Sequence, residues 1–445
     1  MRAKAYGLIC GTYEPRGNAQ NAEANRNRYL LFQLKAFLTF HQRFYKQGQM
    51  FPQTGRILSE KVKGLLLALL GVAHSLNHSL FLVLPMYLPK ITEEFGASLE
   101  VIGLIAAMSG FLYGAGSLVG GSLSDRFGEI KVLAMSLALS GVSTFILLIA
   151  RDLVMFSVGL LFMGVWAGLY HPTANSVISK VFQRNMAKAM GIHGTGGNIG
   201  FMFAPIITVA MGDLWGWRYP LLFFGLLNLM VSTLLLKTSP PVEKTQAAGN
   251  IWDAIRIPGV WTLLFCNITI GLYSNGVDFI FPTFLENRGF SSMLKAAAVF
   301  SLLAVGILGQ WLGGKASDSF GSTKALIATL TGVVTGLFLL LVTPHAGIGI
   351  SAFILIYGIS FHGHQPAMTS LVGLTTPDSE RGTVFGIYFF SAFGLGSVSR
   401  AIASSCADRF GLESVFYVIT LFSIVALLLS LKLTSPQNRH FTRKS

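Results

Sequence analysis

Apolar residues run along this chain in long blocks separated by short polar breaks. A helix needs about 20 mostly apolar residues to cross roughly 30 Å of hydrocarbon. Twelve segments of that kind are predicted, at 62–89, 99–121, 131–150, 153–179, 188–211, 218–236, 259–285, 294–314, 324–343, 347–374, 382–404 and 414–432. The longest internal polar stretch, Lys237–Ile257, contains Ser239, Pro240 and Pro241 and separates six spans from six. The pattern divides the chain into a basic tail (1–61), a six-helix half (62–236), a linker (237–257), a second six-helix half (258–432) and a short tail (433–445). The expected fold is an all-α membrane protein with about 12 transmembrane helices.

Composition strengthens this reading. The chain is 52% hydrophobic and 12% charged, where a soluble domain carries about 25% charged residues. Its 49 glycines and 15 prolines are tolerated because both residues are more frequent in membrane helices than in soluble ones. Cys10, Cys266 and Cys406 fit neither a metal-ligand spacing nor a disulfide framework.

The net charge of +14 would suit a nucleic-acid partner only if it were gathered on a folded surface. Instead, residues 1–63 hold eleven Lys/Arg and three Glu, and the remainder lies in short loops. No nucleic acid is expected. No h-region with a cleavage site precedes the first span, because Lys35 interrupts the apolar Tyr29–Phe40 stretch. With the N-terminus inside, the inner loops and C-terminal tail hold fifteen Lys/Arg against seven outside, namely Lys90, Arg151, Arg218, Arg288, Lys295, Arg400 and Arg409. That asymmetry predicts a multi-pass protein of the cell membrane with both termini cytoplasmic. Residues 30–46 carry a basic amphipathic pattern suited to an anionic leaflet, and Met50 is a nearer possible start.

The chain also repeats itself. Gly121-Ser-Leu-Ser-Asp125-Arg-Phe-Gly128 recurs as Gly314-Lys-Ala-Ser-Asp318-Ser-Phe-Gly321, at an offset of 193. Pro172 and Ser176 are answered by Pro366 and Ser370 at an offset of 194, and Gly191-Ile192-His193 by Gly386-Ile387-Tyr388 at 195. Six spans separate each pair, an even number, so the halves are parallel repeats. Such halves place a solute path between them, near the midplane.

These features resemble the major facilitator superfamily over residues 62–432. The most specific element is the loop between helices 2 and 3, where Gly121, Leu123, Asp125, Arg126 and Gly128 match the family pattern while Glu129 and Ile130 depart from it. The second copy keeps Gly314, Asp318, Gly321 and Lys324 but has Ser319 for the basic residue. A narrower resemblance, carried by Gly168-Leu-Tyr170-His171-Pro172, Gly196-Gly197-Asn198-Ile-Gly200 and Ala204-Pro205, is to the fosmidomycin-resistance group of drug efflux proteins. The resemblance implies that Asp125, with Arg126 as partner and Asp318 as counterpart, latches the cytoplasmic ends of the halves. Read from the residues alone, the same loops are tight turns whose glycines allow positive φ.

Polar side chains deep in a bilayer are costly and face a cavity or a partner. Six of nine histidines fall within spans: His74, His78, His171, His193, His362 and His364. His74, Asn77 and His78 share one helix face. Imidazole titrates near neutrality, so these groups suit a coupling proton or an anionic solute. His74 and His78 also have ligand-like spacing, but without an acidic or thiol ligand on that helix no metal or cofactor is expected. Asp278, one turn after Asn275, is the clearest intramembrane acid and a candidate proton carrier, or the occupant of an outer vestibule. Trp166, Tyr170, Asn198, Gln365 and Tyr388 complete the expected path. Arg400 is read as snorkelling at the outer end of helix 11.

The expected function is secondary active transport by a monomer that binds a small-molecule solute and protons, with proton-coupled efflux of a small organic solute leading. Uptake or exchange of a metabolite anion is the alternative, and a non-transporting membrane sensor the least favoured. No nucleotide-binding glycine loop and no nucleophile–base signature supports an enzyme.

Overall fold

The computed structural model describes residues 59–238, 251–343, 345–377 and 380–433, without the side chains of Asp125, Arg184, Ala187 and Ala346. The amphipathic stretch at 30–46, most of both tails and the Ser239-Pro240-Pro241 segment lie outside the described residues.

Among the described residues, twelve helices are long and apolar enough to cross a membrane: α1 Glu60–Met86, α2 Leu99–Ser124, α3 Glu129–Ile149, α4 Leu153–Val181, α5 Lys188–Trp215, α6 Arg218–Lys237, α7 Val260–Asn287, α8 Ser292–Phe320, α9 Ser322–Val342, α10 Gly347–Thr375, α11 Arg381–Phe410 and α12 Leu412–Ser430. Helices satisfy their own backbone groups, which lipid cannot do. Large side chains such as Trp311, Phe320, Phe338 and Tyr417 remain exposed on the outside of the bundle, as a lipid-facing surface requires.

All twelve predicted spans are present. The largest boundary differences are at α8 and α11, which continue past residues 314 and 404 to Phe320 and Phe410. Helical hydrogen bonding carries on through polar turns that hydropathy reads as loop. It stops only where Gly321 (φ +88°) and Gly411 (φ +85°) reverse the chain. The repeated motif works in this way in both copies. The helix of α2 runs on to Phe127, Gly128 adopts φ +88° and α3 follows at once; Gly321 does the same between α8 and α9. Any side chain at these two glycines would carry a left-handed backbone penalty.

Within the halves, α1 packs on α5, α3 on α6, α8 and α9 on α10, and α7 on α12, while α2 meets α11 and α5 meets α8 across the halves. The α2–α11 seam is built from small residues. A Cβ at Gly103 would lie 2.1 Å from Ser404 Oγ, one at Gly110 would lie 2.6 Å from Ser397 Cβ, and one at Gly114 would lie 2.3 Å from Gly394 Cα. Two spans are interrupted. α4 breaks at Gly168–Leu169, between Leu153–Ala167 and Tyr170–Val181. α11 contains a π-helical segment at Phe390–Leu395, a feature frequent at functional sites.

Candidate functional site

Both interruptions border a cavity of about 390 Å³ between the halves, within the size range of small-molecule sites. On the side of the first half, His74 and His78 project from α1. Tyr170 Oη donates to Leu70 O at 2.6 Å, Asn77 Nδ2 to Ala167 O at 3.0 Å and Tyr113 Oη to Asn77 Oδ1 at 2.9 Å. These bonds fix α1, α2 and α4 to one another. The break in α4 then aims His171 at the α1 pair, its ring centroid 5.0 Å from that of His74 and 5.1 Å from that of His78. His193, from α5, stacks on His74 at 4.5 Å.

On the opposite wall, Asp278 is exposed to the cavity. It lines the cavity together with Asn275. Arg400 is also here. Its guanidinium donates to Asn275 Oδ1 at 2.8 Å and to Ala106 O at 3.1 Å, so the expectation of an interfacial, snorkelling arginine is corrected: α11 carries it into the cavity lining. Among the described residues, no carboxylate lies within ion-pair distance of it. His362, His364, Gln365 and Tyr388 complete this wall. Asn198 reaches Gln310 at 2.7 Å and Gln310 reaches Gln365 at 2.6 Å, a chain of amides that crosses from α5 to α10.

Of the expected path residues, Trp166 and Tyr170 do not line the cavity. Trp166 meets Phe162 edge to face at 5.8 Å, and Tyr170 is fully buried behind the histidines. Asn77 is likewise buried and acts through its two hydrogen bonds. His74, His78, His171, Asn198, Asn275, Asp278, His362, His364, Gln365 and Tyr388 all reach it. Gln310, Tyr113 and Arg400 were missed, and His193, counted among the span histidines, was not placed on the path. His193 carried a signal, since its repeat partner is Tyr388; Arg400 was hidden because counting from the span end placed it near the interface.

The residues expected to gate are not among those that line the cavity. The Asp125 side chain lies outside the described residues. Arg126 rests 5.3 Å from the Phe127 ring. Gly121 and Gly314 sit inside their helices with no neighbour closer than 3.9 Å to an added Cβ, and Asp318 is exposed. The unmatched Glu129 has a firm place: it is buried, and Lys180 and Ser176 donate to its carboxylate. In the second copy Ser322 stands at the Glu129 position, Ser370 at that of Ser176 and Leu374 at that of Lys180; Ser322 donates to Ser370 at 2.8 Å and lies 2.8 Å from Ser317.

Contacts between halves gather at the end bearing the α1–α2 loop. Lys295 Nζ donates to Met86 O at 2.8 Å, Glu100 N to Asp408 Oδ2 at 2.7 Å and Arg409 Nη2 to Glu100 at 3.2 Å.

Among known proteins, the chain is 24% identical over 367 residues to the uncharacterized MFS-type transporter YwfA of Bacillus subtilis, covering 78% of this chain and 87% of that one. It is 23% identical to the gentisate transporter of Corynebacterium glutamicum (77% and 81% covered) and 23% identical to the multi-drug resistance efflux pump PmrA of Streptococcus pneumoniae (77% and 89%). Its fold matches the crystal structure of a bacterial homologue of the human lysosomal transporter Spinster, inward-facing and occupied, with TM-score 0.70 at 16% identity, covering 84% of this chain and 97% of that one. The Major Facilitator Superfamily model matches residues 67–399. With that match, twelve apolar helices and a cavity between parallel halves, the chain belongs to the Major Facilitator Superfamily and is a multi-pass membrane transporter, not an enzyme.

Proposed function

We propose that the protein moves a small organic anion by alternating access, coupled to protons, in the cell membrane with both termini cytoplasmic. The observation that carries this reading is the Arg400 guanidinium, held at the cavity by Asn275 Oδ1 and Ala106 O with no carboxylate in contact. A cation so placed has donors left for a planar anion. Asp278, on the same wall, is the group assigned to the coupling proton, and the amides of Asn198, Gln310 and Gln365 orient the solute. The relative named for gentisate supports an anionic solute. This favours the alternative over the leading expectation. On the orientation that loop charges support, the closed end with Lys295 and Glu100 is outer, which makes this an inward-facing state. The Asp125–Arg126–Asp318 latch then belongs to the opposite state.

A second reading, efflux of an uncharged drug-like solute, is favoured by the rings of Phe201, Phe361, Phe389 and Phe393 along the cavity. The resemblance to the fosmidomycin-resistance group and the PmrA relative agree with it. Proteoliposomes with an imposed pH gradient separate the two. Accumulation of an aromatic carboxylate that is lost in Arg400→Ala, and reduced to gradient-independent exchange in Asp278→Asn, is the expected result. Equal flux of carboxylates in wild type and Arg400→Ala would reject the anion reading.

A further inference from the structure

We infer that His74, His78 and His171 form a site for a divalent transition-metal ion of the zinc class. One ring nitrogen from each of the three lies within 4.8 Å of the others. The Nε2 atoms of His74 and His78 are 3.1 Å apart, close to the spacing that two ligands roughly 2.0–2.1 Å from one tetrahedral ion adopt.

The tautomers agree with this assignment. His74 Nδ1 lies 3.2 Å from His193 O. A carbonyl only accepts, so Nδ1 carries the proton and Nε2 presents a lone pair. Metal-ligating histidines are oriented in this way, their second nitrogen donating to a backbone carbonyl or carboxylate. Without an ion, His78 Nε2–H fills the gap by donating to His74 Nε2. On binding, the His78 proton moves to Nδ1 and the ion takes its place between the two nitrogens. His171 supplies a second, independent observation: its Nε2 is buried without any hydrogen-bond partner, and the residue is only 9% exposed. An unsatisfied buried nitrogen beside a histidine pair is costly unless something occupies the space between them.

The surroundings are built for the ligands. An added Cβ at Gly197 would fall 2.2 Å from His74 Nδ1, so only glycine leaves room for that ring against α5. Tyr170, Asn77 and Tyr113 lock the three helices together. All three histidines line the cavity, which leaves a fourth position open to it, as in sites with three protein ligands and one exchangeable oxygen. The three neutral imidazoles suit zinc, copper, nickel or cobalt and disfavour magnesium or calcium. The site does not depend on the identity of the transported solute.

The test uses the full chain purified in detergent through a tag without histidine, stripped with chelator and dialysed against buffered Zn²⁺ or Co²⁺. One Zn²⁺ per chain is expected, together with the intense visible absorption of four-coordinate Co²⁺. His171→Gln and His78→Gln each weaken binding beyond the roughly 10–100-fold that loss of an outer-shell partner costs. His362→Gln leaves it unchanged. Size-exclusion profiles establish that each variant is folded, and either of the first two suffices if the other is not. The proposal is overturned if wild type takes up no stoichiometric Zn²⁺, or if a folded His78→Gln or His171→Gln variant binds it as tightly as wild type. Metal binding is read without solute, so failure here leaves the transport reading standing, and the reverse.

Discussion

The two halves share a backbone plan and differ in where they put charge. Ser98 caps α2 by accepting from Val101 N, and Ser291 caps α8 by accepting from Leu294 N, at the offset of 193 that relates the two loop motifs. Beyond such scaffolding the halves diverge. Two of the first half's imidazoles, at 171 and 193, have Gln365 and Tyr388 as their repeat partners at offsets of 194 and 195, whereas Arg400 stands where the repeat has Pro205. One wall of the cavity is thus an imidazole cluster and the other holds the formal charges. The ion pair at the end bearing the α1–α2 loop is inverted. Glu94 accepts from Arg218 in the first half, and Arg288 donates to Glu413 in the second, with the signs exchanged between equivalent positions. Geometry is kept by the repeat, and polarity is free to change so long as partners change together.

The largest expected effect tests the charged wall. Arg400→Ala lowers kcat/KM for a carboxylate about 100-fold or more in proteoliposomes, because losing a buried charge-assisted contact costs roughly 2–5 kcal/mol, while an uncharged solute would be nearly unaffected. Next comes the end bearing the α2–α3 loop. Glu129→Ser alone strands Lys180 and destabilises by roughly 2–3 kcal/mol, below the 3–5 kcal/mol of a fully buried pair because Lys180 keeps some solvent contact. Adding Lys180→Leu, which reproduces Ser322 and Leu374 of the second half, recovers most of that loss in thermal unfolding in detergent.

The inverted pairs give a sharper comparison at smaller cost. Exchanging Arg288 and Glu413 is expected to be neutral within about 0.5 kcal/mol, since exposed pairs are worth roughly 0.2–1 kcal/mol. The same exchange at Glu94 and Arg218 fails by about 1–2 kcal/mol, because Arg218 also donates to Leu147 O and Ala150 O, and a glutamate there can donate to neither. The smallest effect is shared. Ser98→Ala and Ser291→Ala each cost about 1 kcal/mol, and unequal costs would show that the two caps are not equivalent.

Much of this was legible in the sequence. Twelve spans, the break between halves and the parallel repeat follow from hydropathy and spacing, because a bilayer imposes one length on every element. The facing histidines of α1 were visible from their i, i+4 spacing. Their meeting with His171 and His193 was not, since it depends on the break at Gly168–Leu169 and on close packing of α1 against α5. Arg400 was misplaced for a different reason. It was counted from a span end predicted at residue 404, whereas α11 continues to Phe410, which sets the side chain deeper than the count allowed. The role of Glu129 was invisible because departure from a motif says only that a contact is missing, not what replaces it.

The seam between α2 and α11 has a further consequence. Side chains that interlock resist sliding, whereas Gly103, Gly110 and Gly114 meet Ser404, Ser397 and Gly394 almost backbone to backbone, so the joint has few teeth to disengage. Its smoothness depends on the absence of single methyl groups, and one alanine at Gly114 would wedge the halves apart. A lineage acquiring a new cargo is therefore free to redecorate the cavity walls residue by residue, but has almost no latitude along the hinge line.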